Sequence, residues 1–274
     1  MLQTDMSFLT QIKFPPLIYR ILKRSKKLWV VHAIAASLYA LQALLMAWLS
    51  IDQSGATRPL STSYLTTDTL ASAAKGSPVL VQGSAQIMSL NMHYILTAIF
   101  IILALAQAMA ALLARRKLSR KKQGLIKLAI RVGYAVAAAG IISVLAVLAG
   151  IYDIVTLLLI YVLVFIMCRT AQSASLVLNQ SRPYFKIAVL AAATQLVVIG
   201  LYILSAQLYA YGTSMIVYSA YVTLGVTLAA FGVLIYARRK WVGFWNHGAY
   251  SEPTIIALAL VTLSALGWQL FVGA

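Results

Sequence analysis

A seven-helix, all-α membrane bundle is the fold class this sequence predicts, and three observations carry it. The chain is 62% hydrophobic and only 10% charged, whereas soluble domains hold about 45–50% apolar and about 25% charged residues. Seven apolar runs are long enough to cross a bilayer, which takes about 20 residues in a helix. Positive charge alternates between the connections, and the alternation closes only with an odd number of spans. Helices are the spanning form because backbone polar groups in lipid must be satisfied within their own segment. A barrel would show alternation over stretches of about ten residues instead.

The runs lie at about 28–50, 92–114, 126–151, 154–175, 187–210, 215–237 and 254–273, so residues 1–274 read as one membrane domain. Residues 1–27 are polar and basic and lack the short apolar run and small-residue cleavage site of a secretory signal. Within them, residues 16–27 (PLIYRILKRSKK) read as a partly amphipathic segment on the membrane surface. Residues 51–91 form the long outer loop. There a Thr/Tyr/Leu-rich stretch, Gly76-Ser77-Pro78 and Val79-Leu80-Val81 fit two short strands around a turn, a short β hairpin. The density of β-branched and aromatic residues favours order over a solvated polar loop. Asp153 falls in the turn after the third span, and Ser251-Glu252-Pro253 reads as a helix start, with serine as cap and proline in the first turn.

The charge map sets orientation. Of 22 Lys and Arg, six precede the first span, eight lie between spans 2 and 3 or at the start of span 3, and three lie in each of connections 4–5 and 6–7. Only Arg58 and Lys75 fall in the 51–91 loop. The excess of positive charge on cytoplasmic loops then predicts a plasma-membrane protein with its N-terminus in the cytoplasm and its C-terminus outside. The net charge of +17 would suit nucleic acid. Short cytoplasmic loops facing anionic lipid account for it without nucleic acid, so the expected partner of the basic face is lipid.

Cys168 is the only cysteine, which excludes an internal disulfide, and His32, His93 and His247 lie far apart near span ends. No nucleophile–base pair, phosphate loop or metal-ligand spacing is visible, so no enzyme is expected. No acid or base lies near the middle of a span. A pump needs titratable groups there, so pumping is disfavoured.

Two separated stretches point to a family. In the long loop, Pro59, Ser61, Thr62, Ser63, Tyr64, Leu65, Thr66 and Asp68 match a Pro-x-Thr/Ser-Thr-Ser-Tyr/Phe-Leu-Thr-x-Asp pattern. In the last span, Ser264, Ala265, Leu266 and Trp268 fall on a Lys-Ser-Ala/Leu-Leu-Ala-Trp pattern. In both, the chain resembles the heliorhodopsins. The resemblance covers nearly the whole chain and is most specific at these two places. It implies a rhodopsin-like bundle of a photoreceptor family with inverted topology, an orientation the charge map reaches independently. It also implies a homodimer.

In that family a lysine on the last helix holds retinal as a Schiff base, and Leu263 stands at its position. The counterion, a glutamate in a Glu-Tyr-Ser pattern on helix 3, aligns with Gly133 before Tyr134, and Ala135, Ala137 and Ala139 stand where serines are usual. Losing only one partner would strand a buried charge at a cost of several kcal/mol; losing both leaves a neutral interior. Tyr39 and Gln107 replace histidines of helices 1 and 2, and Gln195-Leu196 replaces a Pro-Trp pair of helix 5. Tyr218 and Tyr221 share a face of span 6. They either line a remaining cavity or pack between helices with their hydroxyls on backbone. Trp268 is either a pocket wall or an interfacial anchor. The resemblance thus implies a protein without a covalent cofactor, serving in signalling, binding or scaffolding. The alternative is a receptor or carrier that holds retinal or another apolar isoprenoid non-covalently.

Overall fold

The computed structural model describes residues 28–51, 57–115, 120–176, 181–209, 214–239 and 248–274. The expected surface segment at 16–27 and His247 lie outside these. In chain order the elements are α1 (Leu28–Leu49), β1 (Thr57–Asp68), α2 (Thr69–Lys75), β2 (Val79–Asn91), α3 (Met92–Arg115), α4 (Arg120–Leu148), α5 (Ile154–Leu176), α6 (Ser181–Tyr209), α7 (Met215–Arg239) and α8 (Gly248–Gly273). All the helices but α2 are long and apolar enough to cross a membrane, which makes seven spans among the described residues. The predicted runs and the helices agree to within about six residues at each end, and two of the differences are informative. The third span ends at Leu148 rather than 151, because Gly150 takes a left-handed φ of 99° and turns the chain. The last helix begins at Gly248, not at Ser251, and Pro253 lies inside it. A proline at this position removes one backbone hydrogen bond and crowds the carbonyl four residues back, a local cost confined to the first turns of the helix.

The spans close into a ring. Neighbours in sequence pack together along α1, α3, α4, α5 and α6, α7 packs on α8, and α8 returns to α1 and α4. The core inside the ring includes Met46, Phe100, Leu103, Leu145, Ile199, Leu224 and Leu270. Large apolar side chains such as Leu44, Leu159, Leu190 and Val226 point outward. Lipid covers such a surface at no cost, so outward leucines need no protein partner.

The long loop is an antiparallel ribbon of twelve- and thirteen-residue strands. The predicted hairpin is present, but it is longer than two short strands, and its turn is a helix. Asp68 caps that helix, accepting from the backbone N–H groups of Leu70 and Ala71 at 3.0 Å each. Gly76 ends it with φ 65°, and Ser72 Oγ accepts from the Val79 N–H at 2.9 Å. A two-stranded ribbon is marginal alone, and this one is anchored at its base. The Ser61 N–H donates to the Tyr152 carbonyl at 2.9 Å, and Arg58 Nη2 donates to the Ala274 carbonyl at 3.1 Å. The extra residue Ile87 bulges where the register shifts beside Leu60.

Asp153 caps α5. Its Oδ2 accepts from both the backbone N–H and Oγ1 of Thr156, each at 2.8 Å. These bonds hold the Asp153 carboxyl below the usual carboxylate range, the backbone bond contributing most. Its stabilisation is therefore present above the unfolded value, near pH 4, and fades as pH falls through the lower folded value. Replacing Asp153 with Ala is expected to cost about 1 kcal/mol near neutral pH. Thermal unfolding in detergent from pH 3 to 6 should show a smaller acid dependence in the variant. An unchanged acid limb would rule this cap out.

Candidate functional site

The expected chromophore positions fall on the wedge between α1, α3, α4 and α8 and on α6 and α7. Three tiers cross the wedge, from the basic end of the bundle to the ribbon end. In the first, Gln107 of α3 is wholly buried and its Oε1 accepts from Nδ1–H of His32 on α1 at 2.6 Å. Among the described residues its Nε2 has no partner. On the same stretch of α3, Ala106 meets α4: a β-carbon built on Gly133 would lie 3.3 Å from that of Ala106 and 3.8 Å from Ile102 Cγ2. The contact places Gly133 on the α3–α4 seam one residue from the level of Gln107. The absence of a side chain there lets the two helices approach.

In the middle tier, Tyr39 is wholly buried and meets Phe100 edge to face, with ring centroids 5.9 Å apart. Tyr134 is half-buried and packs against the core. Phe100 lies directly on Gly267 of α8, where a β-carbon would overlap the ring edge. Gly267 is one helical turn beyond Leu263, which is itself half-buried against the core. Ala137 is wholly buried on α4. In the third tier, His93 Nε2–H donates to the Phe271 carbonyl at 3.0 Å, and the two rings lie 4.3 Å apart. Trp268 meets Phe271 edge to face at 5.7 Å.

Across the bundle, Gln195 sits on the buried face of α6 at 1% exposure, and among the described residues neither polar atom of its amide has a hydrogen-bond partner. Tyr221 OH donates to the Leu196 carbonyl at 2.7 Å, and Tyr218 OH donates to Gln207 Oε1 at 2.7 Å. The structure therefore gathers Tyr39, Gln107, Gly133 and Tyr134 on one side of the interior and ties Tyr218 and Tyr221 to α6. It leaves several buried polar atoms of the interior unpartnered: Tyr39 OH, Gln107 Nε2, both amide atoms of Gln195 and Ser264 Oγ. In a low-dielectric interior such atoms are costly and call for a partner.

Two residues of this site were not legible in the sequence. His32 looked like one of three scattered histidines; only the packing of α1 on α3 brings it to Gln107. Phe100 was one apolar residue among many in its span. An apolar groove of about 320 Å³ opens elsewhere, beneath the ribbon, with Leu60, Met92, Gly140, Ser143, Leu157 and Tyr161 among its lining. None of the expected chromophore positions lines it. Among the described residues no group of three His, Cys, Asp or Glu is placed to hold a metal ion.

A search of curated proteins found none that matches the chain. The sequence model of the heliorhodopsin family matches residues 28–274, which takes in all seven spans and the ribbon. That match agrees with the two motifs and the inverted charge map, and the chain belongs to the heliorhodopsin family.

Proposed function

We propose that this protein is a heliorhodopsin-family membrane protein that forms no retinal Schiff base and acts in signalling, binding or scaffolding rather than in pumping or enzymatic catalysis. One observation carries the reading: α8, the helix that bears the chromophore lysine in the family, contains no lysine, and Leu263 stands at the expected position. A leucine has no amine to condense with an aldehyde. Gly133 at the counterion position supports the same reading, since a neutral interior needs no carboxylate. The filling of the α1–α3–α8 wedge by Tyr39 and Phe100 supports an interior closed by side chains. The charge map supports a plasma-membrane location with the N-terminus and the basic face in the cytoplasm, against anionic lipid. The homodimer is carried over from the family.

A second reading, non-covalent binding of retinal or another isoprenoid, draws support from the unpartnered polar atoms of Tyr39, Gln107, Gln195 and Ser264. Incubation of purified protein with all-trans retinal separates the two. The leading reading expects no visible absorption band beyond free retinal and no adduct after borohydride reduction. A shifted band that survives hydroxylamine would favour the second reading. A reduced adduct on any lysine of the chain would sink the first.

A further inference from the structure

The seam between α4 and α5 carries two arginines within the stretches of these helices that are apolar and long enough to cross a membrane. The span of α4 begins at Gly124, so Arg131 lies seven residues, about 10 Å, within it. The span of α5 ends at Ser173, so Arg169 lies four residues, about 6 Å, within it. Both are half-buried. Gln172 joins them: its Oε1 accepts from Arg169 Nη1 at 3.3 Å, and its Nε2 donates to the Arg131 carbonyl at 3.3 Å. A guanidinium has five donors, and among the described residues no carboxylate pairs with either arginine. The acids with described side chains, Asp68 and Asp153, cap helices at the ribbon end. Arg115, at the basic end of α3, differs in having a partner, the Trp29 ring 5.4 Å away.

Cations at this depth are expensive unless matched by negative charge. The matching group must reach the seam from the basic side, lie at headgroup level and accept several N–H bonds in a fork. A phosphate diester does all three, and a guanidinium is the side chain best shaped to hold it. We propose that Arg131 and Arg169, on adjacent helices whose seam Gln172 bridges from the Arg169 guanidinium to the Arg131 main chain, form a binding site for the phosphate of an anionic phospholipid in the leaflet on the basic side. The site rests on the reading that the basic face lies against anionic lipid and gives that face a defined headgroup position.

The test is native mass spectrometry of the delipidated full chain titrated with phosphatidylglycerol, phosphatidylcholine or inorganic phosphate. Wild-type protein is expected to retain phosphatidylglycerol at least tenfold better than phosphatidylcholine. Arg131→Gln with Arg169→Gln should lose about tenfold of that retention. Arg131→Lys with Arg169→Lys, which keeps charge but loses the fork, should fall between, and it covers the case in which the neutral variant fails to fold. Lys75→Gln, at the ribbon end, should change nothing. If wild type prefers phosphatidylglycerol and both arginine variants match it, the site is wrong while the basic-face reading stands. If wild type shows no preference, that reading fails with it. Displacement of the lipid by millimolar inorganic phosphate would overturn the lipid as occupant.

Discussion

Gly267→Ala is expected to lower the stability of the bundle by about 1–3 kcal/mol, the usual cost of forcing extra volume into a close-packed site. A β-carbon at Gly267 falls on the edge of the Phe100 ring, and that ring is wholly buried between α1, α3 and α8. It has no free direction in which to retreat, since Tyr39 closes the other side at 5.9 Å. Phe100→Leu in the Gly267→Ala background should recover much of the loss, because the smaller side chain vacates the volume that the new methyl requires. Phe100→Leu alone should be destabilising. The sign of the coupling between the two changes is the diagnostic, measured as thermal unfolding in detergent. Additive losses would show that Phe100 and α8 do not share this contact, and with it would go the case for an interior filled by side chains.

Leu263→Lys is expected to be the more damaging change. Leu263 is half-buried in the middle of α8 with apolar neighbours, and an ammonium at such a depth costs about 2.5–3.5 kcal/mol even on insertion scales. Gly133→Glu alone should also destabilise, through a buried carboxylate and through Ala106, which lies 3.3 Å from any new β-carbon. The combination is expected to be more stable than the sum of the single losses, as each charge then has a partner. The doubly substituted protein should also be the form that gains a visible pigment with all-trans retinal. Strict additivity together with the absence of pigment would mean that Leu263 and Gly133 are not the attachment and counterion positions.

The spans were legible because the signal for a membrane helix is local and summed: about 20 apolar residues in a row suffice, whatever they touch. The gathering of positive charge in alternate connections was legible for the same reason. The ribbon was legible in kind from its β-branched alternation but not in length, because strand length depends on cross-strand bonds such as those that continue past the bulge at Ile87. Its helical tip had a readable signal, Asp68 as cap and Gly76 as stop, hidden within a stretch that reads as a turn. The early start of α8 escaped because Pro253 looks like a boundary from either side.

The sequence by itself determined that the chain crosses the membrane seven times, that its positive charge gathers at one end, and that its last helix offers no amine. Each of these is a property of residue identity counted along the chain. Only the tertiary structure decided that His32 bonds Gln107, that Phe100 lies on Gly267, that Gln195 is buried without a partner among the described residues, and that Gln172 bridges the Arg169 side chain to the Arg131 main chain. Those pairings join helices far apart in sequence, and their geometry follows from how the spans rotate and close against one another, a many-body outcome that no single segment encodes.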